Sequence, residues 1–441
     1  MIFKQTMVSW SVAGALLAMS GSAAASGFAL IEQNASGLGN AYAGGAAAAE
    51  DASTIFFNPA GMSRLSGKQV VVAGHLITPS AKFSDNGSTA AALQPSVGGT
   101  GGDAGGMAFV PNAYFAMELN PKTRIGLGIN APFGLQTEYD SNWMGRFQAI
   151  KSKIETVNLN PSVSYQASDA LSLGAGLNYQ HIKGELTSAV NYSAAAFAVG
   201  GDSALTAVGG PGVEGVVTIS GSDSAWGYNL GALMNLNDNT RLGAAYRSTI
   251  KYTLTGTVGF TGVPAALAAQ PTVQNGDVTL AISMPDSFSL SGVHKLSDSY
   301  EVMADATWTG WSVFEQLKID RTSGANVQTV QEIWEYTWRV SAGASHHYNE
   351  KMTVRAGIAF DQAPVSDTYR TARIPDNDRT WLALGGKYKM SAASTIDFGY
   401  THIFVKDSTI ADNQAVAGKG NLVGSYKNSV DIFSAQYTHN F

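Results

Sequence analysis

The stretch Thr156-Val157-Asn158-Leu159-Asn160-Pro161-Ser162-Val163-Ser164-Tyr165-Gln166 decides the fold class. Val157, Leu159, Pro161, Val163 and Tyr165 share one parity; Asn158, Asn160, Ser162 and Ser164 share the other. Successive side chains of a strand point to opposite faces, so such a segment is apolar on one side and small and polar on the other. Leu171–Gln180 repeats the pattern, with Leu171, Leu173, Ala175, Leu177 and Tyr179 set against Ser172, Gly174, Gly176, Asn178 and Gln180. Soluble antiparallel sheets also alternate. A second face this small and this polar fits instead a membrane barrel whose outside meets lipid and whose lumen is wet.

Outward from these two segments the pattern recurs along the chain. Roughly fourteen stretches of this kind are found. They span 69–78, 107–119, 123–131, 155–166, 170–183, 225–237, 240–254, 279–296, 299–311, 335–347, 351–362, 379–390, 393–406 and 427–441. Their connections alternate short and long. Asn120-Pro121-Lys122, Ser168-Asp169, Asn237-Asp238-Asn239, Ser297-Asp298-Ser299, Asn349-Glu350 and Ser391-Ala392-Ala393 are tight turns made of turn-forming residues. The long connections fall at 79–106, 132–154, 184–224, 255–278, 312–334, 363–378 and 407–426. Short periplasmic turns and long outer loops are the habit of outer-membrane barrels, and an even strand number leaves both barrel ends on the periplasmic side. The last segment ends in Phe441, with Phe433 and Tyr437 on the same parity, which suits an aromatic girdle.

Composition agrees. The 441 residues carry 27 Lys+Arg and 33 Asp+Glu, a formal charge of −6, so no basic footprint points to nucleic acid. Charged residues make up 14% and Gly numbers 49, low and high respectively for a soluble domain. The absence of Cys removes disulfides, thiolate catalysis and Cys-based metal sites. Residues 1–25 read as an export signal: Lys4, an apolar run from Met7 to Met19, then Ser22-Ala23-Ala24-Ala25, with cleavage expected after Ala25. Residues 26–68 lack the strand pattern. They are rich in Ala, Gly and Asn, yet hold Phe28, Leu30, Ile31, Tyr42, Ile55, Phe56 and Phe57, which need burial and so favour a plug within the lumen of a 69–441 barrel.

These residues resemble the FadL family of outer-membrane long-chain fatty acid transporters, which includes TodX-type hydrocarbon channels. The resemblance is carried by Ser26-Gly27-Phe28-Ala29-Leu30, Gly37-Leu38-Gly39-Asn40-Ala41-Tyr42-Ala43-Gly44, Glu50-Asp51-Ala52 and Asn58-Pro59-Ala60-Gly61. Further along it is carried by Ala131-Pro132-Phe133-Gly134-Leu135 with Trp143 and Gly145-Arg146, by Arg355–Asp361 and by Ile374–Arg379. It spans nearly the whole expected mature chain. It implies a monomeric fourteen-stranded, all-β transmembrane antiparallel barrel with an N-terminal hatch, sitting among outer-membrane lipids and lipopolysaccharide. It also implies a three-stage path: capture of a hydrophobic ligand between outer loops, passage to a buried site, and sideways exit through a kinked strand once the hatch moves.

The residues expected to serve that path follow. Phe197, Val199 and Leu205 in one outer loop, and Val263 and Leu267 in another, would form an apolar groove; the same residues would equally pack on each other as a lid. Ala131, Pro132, Phe133 and Gly134 mark a break in the third strand, since Pro removes a ladder donor and Gly marks a bulge. Asn58, Pro59 and Ala60 would couple the hatch to that break, and Phe28 would close the ligand pocket. A fatty acid carboxylate would want a cation in a dry pocket. By parity Arg241, Arg247, Arg339 and Arg355 face the lumen, as do Glu301, Asp305, Asp361 and Asp397, and most read as a charge network holding the hatch. Arg339 and Lys183 are the carboxylate candidates, although the parity of Lys183 from Leu177 and Tyr179 points it outward unless a bulge intervenes. The region Glu332–Tyr336, where the family would place a second cation, is acidic; that difference keeps neutral aromatic or alkyl hydrocarbons as an alternative cargo. An open porin and a surface receptor or adhesin are further alternatives. No catalytic, cofactor or metal motif is present: His346-His347 point to opposite faces, and His294, His402 and His439 have no Ser on the same strand face.

Overall fold

The computed structural model describes residues 26–441; the expected export signal, 1–25, lies outside them. Among the described residues no helix is long and apolar enough to cross a membrane. The chain crosses with strands. Twenty strand segments form one sheet, and six of them continue another across a short break, which leaves fourteen antiparallel strands.

These are β1 (Lys68–Asp85), β2 (Ala108–Asn120), β3 (Thr123–Asn130, resumed at Gly134–Glu138), β4 (Lys151–Gln166), β5 (Leu171–Asn191), β6 (Glu214–Asn235) and β7 (Thr240–Arg247, resumed at Ile250–Thr261). There follow β8 (Gly276–Met284 and Ser287–Lys295), β9 (Tyr300–Thr309 and Gln316–Arg321), β10 (Asn326–Gln331 and Thr337–His347), β11 (Met352–Asp361), β12 (Arg379–Lys389), β13 (Ser394–Val405 and Ser408–Asn413) and β14 (Asn421–Asn440). Each pairs with its chain neighbours, and β14 closes on β1 from Gln69↔Asn440 to Asp85↔Gly424, so the sheet closes into a barrel.

All fourteen expected segments are strands, but several run further outward than periodicity indicated. The expected loop 184–224 is strand as far as Asn191 and again from Glu214; Ile250–Thr261 and Asn421–Asn440 likewise enter expected loops. The physical reason is visible on β5. Lower down, Leu177 and Tyr179 are exposed while Asn178 and Gln180 are buried; above them His181 and Lys183 are exposed while Ile182 is buried. The two faces exchange polarity where the wall leaves the membrane, and the ladder continues. Trp226, which faces Tyr179 at 4.9 Å between ring centres, stands with Tyr228 and Trp338 at the outer rim; Tyr165, Tyr348, Tyr388 and Phe441 mark the periplasmic rim.

The hatch fills the lumen. Three short helices, α1 (Ala35–Leu38), α2 (Gly45–Ala48) and α3 (Thr54–Phe57), are followed by a 3-10 turn over Pro59–Arg64. They lie against the wall with almost no side chain between. A β-carbon on Gly385 would come within 2.6 Å of the Gly39 α-carbon, and one on Gly231 within 1.9 Å of Asn58 Oδ1. The small residues of the wall are where the hatch is seated, which accounts for part of the Gly count.

Candidate functional site

The site begins at the strand break. β3 and β4 pair in register up to Asn130↔Asn158 and resume at Gly134↔Glu155, so Ala131, Pro132 and Phe133 oppose only two residues of β4. On its other side β3 pairs with β2 only as far as Ile129↔Ala113, and its upper segment pairs with β4 alone. A gap therefore opens in the wall between β2 and β3. Unpaired backbone at membrane depth is costly, so its groups must find partners.

The hatch supplies them. Phe28–Leu30 lies antiparallel to the break: Leu30 N donates to Pro132 O at 2.7 Å, Gly134 N donates to Phe28 O at 2.9 Å, and Ala29 bridges Phe133. Gln33 Nε2 donates to Ala131 O at 3.0 Å, and Asn112 Nδ2, on the β2 side, donates to Glu32 O at 2.9 Å. On the β4 side Thr156 Oγ1 donates to Phe133 O and accepts from Phe133 N. Every residue of the expected break is thus engaged, three of them directly by the first residues of the hatch.

Phe28 is fully buried. Its ring meets Trp311, Phe314, Trp334 and Phe133 at centroid distances of 4.7, 5.4, 5.5 and 6.1 Å, mostly edge to face. Beside this cage lies a partly open cavity, lined by hatch residues such as Ser26, Leu30 and Phe57, by Pro132 and Phe133 at the break, and by Trp311. Four charged side chains reach it: Arg247, Arg339, Asp305 and Asp361. A second, smaller space lies higher, walled by aliphatic side chains including Ile154, Ile182, Leu186, Ile219, Leu254 and Ile282. One continuous cluster of buried apolar residues, including Ile182, Tyr252, Ile282, Met284, Trp311 and Phe28, joins the two. Reasoning from sequence missed the upper space. Its signal was the polarity exchange along β5, β6 and β7.

The lumen arginines hold the hatch by its carbonyls. Arg241 donates to Ala47 O and Ala48 O, Arg247 to Phe56 O at 2.8 Å and Arg339 to Ala41 O at 2.7 Å. These carbonyls lie at or near the ends of short helical turns, where cations are favoured. Arg355 bridges Asp397 at 2.7 Å and the hatch residue Glu50 at 2.6 Å, and Lys387 reaches Glu50 at 2.6 Å. Burial pushes the Glu50 carboxyl up, but Arg355 and Lys387 outweigh it and hold it at about 2. Glu32, also in the hatch, is pushed up to about 7 by burial, only partly offset by Arg339 and Arg379.

Asn58 clamps the hatch to a different part of the wall. Its Nδ2 donates to Ala46 O at 2.7 Å and to Ala232 O of β6 at 2.9 Å, while Oδ1 accepts from Ala60 N at 3.0 Å. Pro59 and Ala60 press on Gly174 of β5. The segment ties the hatch to β5 and β6; the direct link to the break is Phe28–Leu30. Of the two carboxylate candidates, Arg339 lines the cavity with Nε and Nη1 unpartnered among the described residues. Lys183 does not line it. The β5–β6 register is unbroken from Leu177↔Tyr228 to Lys183↔Ser222, so no bulge turns its side chain inward, and it is exposed on the outer face.

The outer loops pack on each other. Helix α4 (Tyr192–Ala207), kinked at Gly200 and Gly201, buries Tyr192 and Ala196 against Leu267, with Leu205 and Val263 at the margin of the same cluster. Phe197 and Val199 stay exposed. One contact was not foreseen on any single strand: His439 Nδ1 lies 2.9 Å from Ser394 Oγ across β13 and β14.

Comparison with known proteins agrees with this geometry. The family described as "Outer membrane protein transport protein (OMPP1/FadL/TodX)" matches residues 16–441. Outer membrane protein P1 of Haemophilus influenzae is 33% identical, over 92% of this chain and 93% of that one. The long-chain fatty acid transport protein of Escherichia coli is 29% identical, over 89% and 91%. The crystal structure of a Pseudomonas aeruginosa FadL homologue superposes with a TM-score of 0.85 at 27% identity, covering 94% of this chain and 99% of that one. The Pseudomonas putida toluene transporter TodX, at 20% identity and a TM-score of 0.68, shares the fold. The chain belongs to the outer-membrane transport protein family (OMPP1/FadL/TodX), whose members are β-barrel transporters of hydrophobic compounds and not enzymes.

Proposed function

We propose that this protein takes up long-chain fatty acids and releases them sideways into the outer membrane. A ligand is gathered at the apolar outer loops, descends through the aliphatic upper space and enters the cavity beside Phe28. Withdrawal of Phe28–Leu30 from Pro132–Gly134 then opens the wall between β2 and β3. The observation that carries this reading is the backbone pairing of the hatch with the break, because one movement both empties the cage and unseals the gap. The name of the Escherichia coli relative and the place of Arg339 in the cavity wall support a fatty acid as cargo. The export signal, the hatch boundary near residue 68 and a monomeric state among lipids and lipopolysaccharide belong to the same proposal.

A second reading, uptake of neutral alkyl or aromatic hydrocarbons, is favoured by one observation. The charged side chains lining the cavity, two Arg and two Asp, sum to no net charge. Uptake of oleate and of toluene, measured side by side in cells lacking their own transporter, separates the two. Oleate accumulation that depends on this protein supports the first reading; toluene entry without oleate replaces it with the second.

A further inference from the structure

We propose that export processing itself supplies the carboxylate-binding cation: the α-ammonium group of Ser26, freed by cleavage after Ala25, pairs with the ligand's carboxylate in the cavity. The inference rests on the fatty acid reading and on the expected cleavage site. Ser26 is buried and lines the cavity, so an amine generated there belongs to its wall. The chain end is held in place. Ser26 Oγ donates to Gln362 O at 2.6 Å, and Gly27 N donates to Asp376 Oδ2 at 2.8 Å. Gly27 has φ +62°, and a β-carbon there would come within 2.8 Å of Trp334 and 2.9 Å of Trp311, so no larger residue fits between Ser26 and the Phe28 cage.

Charge completes the argument. Arg247, Arg339, Asp305 and Asp361 cancel, and one ammonium leaves the cavity with a single positive charge, the complement of one carboxylate. An α-amine ordinarily titrates at about 7.7–8.0 and is mostly charged at neutral pH. Two acids near the chain end already face cations. Asp376 holds Arg379 at 2.6 Å, and Asp361 is flanked in the ladder by Arg339 and Arg379. The ammonium is therefore left for the ligand. A fixed donor of this kind loses little freedom on binding.

The test replaces the amine without lengthening the chain. In Ser26→Gln the new N-terminal α-amine attacks its own side-chain carboxamide carbon; the C–N bond of a lactam forms, ammonia leaves, and the charge is lost. Ser26→Asn removes the same hydroxyl and keeps the amine. Full-length protein purified from outer membranes is checked by mass spectrometry for its N-terminus, then titrated with oleate and with oleyl alcohol. Ser26→Asn, which keeps the ammonium but loses the Oγ anchor, is expected to change oleate and oleyl alcohol binding in equal proportion. The cyclised Ser26→Gln protein is expected to lose about tenfold or more in oleate binding relative to oleyl alcohol. Equal oleate binding by Ser26→Gln, or a wild-type N-terminus other than Ser26, overturns the inference and leaves the fatty acid reading standing. Wild type that binds oleyl alcohol but no oleate overturns that reading as well.

Discussion

The carbonyl of Phe28 accepts a hydrogen bond from the amide of Gly134 at 2.9 Å. The first residues of the hatch and the broken strand of the wall are thereby one short antiparallel ladder. Pairing of this kind satisfies backbone groups that lipid cannot, and it is lost as a unit when the hatch end moves. The same Phe28 fills the aromatic cage at the cavity, so ligand entry and opening of the wall draw on one element.

That ladder can be locked. Ala29 and Phe133 are bridge partners, and the chain has no Cys to interfere. The double variant Ala29→Cys/Phe133→Cys is expected to take up oleate under reducing conditions and to stop when oxidised. Full uptake by the crosslinked protein would rule out sideways exit at this break.

Loosening it should be as readable. Phe28→Ala removes a fully buried ring from the cage, a change that typically costs about 3–5 kcal/mol where the surroundings do not collapse. The barrel closes through its own ladder and should still assemble. Amide exchange at Gly134 should accelerate by at least about tenfold, since its acceptor sits on Phe28. Unchanged exchange at Gly134 would mean that the cage does not hold the ladder.

Asn58 tests the other anchor. Asn58→Ala leaves Ala46 O and Ala232 O without this donor and Ala60 N without its acceptor, at about 1–3 kcal/mol for each group left unsatisfied. Barrel assembly should be preserved, hatch amides should exchange faster, and uptake should fall. Wild-type uptake with a demonstrably loosened hatch would remove this clamp from the transport cycle.

Binding by two cations should divide cleanly. Lys183→Ala is expected to bind oleate as wild type does, because the side chain stands on the outer face. Arg339→Met is expected to weaken oleate more than oleyl alcohol, because Arg339 lines the cavity. A loss in the Lys183 variant measured by calorimetry would place the carboxylate outside this cavity.

The barrel was legible in the sequence because lipid and lumen impose opposite demands on alternate residues, as Leu177 and Asn178 illustrate. The break was legible because Pro132 and Gly134 interrupt that alternation. The upper space was not, because the period continues unchanged through Ile182 and Leu186 while the meaning of each face reverses; a count of apolar and polar positions cannot register an inversion. The partners of the break were equally hidden. Nothing in Phe28-Ala29-Leu30 alone indicates which strand, a hundred residues away, is missing hydrogen bonds, and main-chain pairing leaves little trace in side-chain identity. The direction of Lys183 was legible from parity, and the unbroken β5–β6 ladder bears that parity out.

Acidity provides a last handle, through Glu32. Its carboxyl rises from an ordinary 4.5 to about 7 in the docked hatch because it is buried, with Oε2 unpartnered among the described residues, and Arg339 and Arg379 offset this only in part. Below 4.5 the group is neutral whether the hatch is docked or released. Between 4.5 and about 7 the released form gives up its proton while the docked form keeps it, so docking weakens as pH rises through that window. Above it the full penalty, on the order of 3 kcal/mol, persists. Glu32→Gln removes it. The variant is expected to match wild type at pH 4 and to protect its hatch amides more strongly at pH 8, after correction for intrinsic exchange rates. Equal protection at pH 8 would show that Glu32 does not oppose docking, and that the hatch is held closed without regard to its protonation.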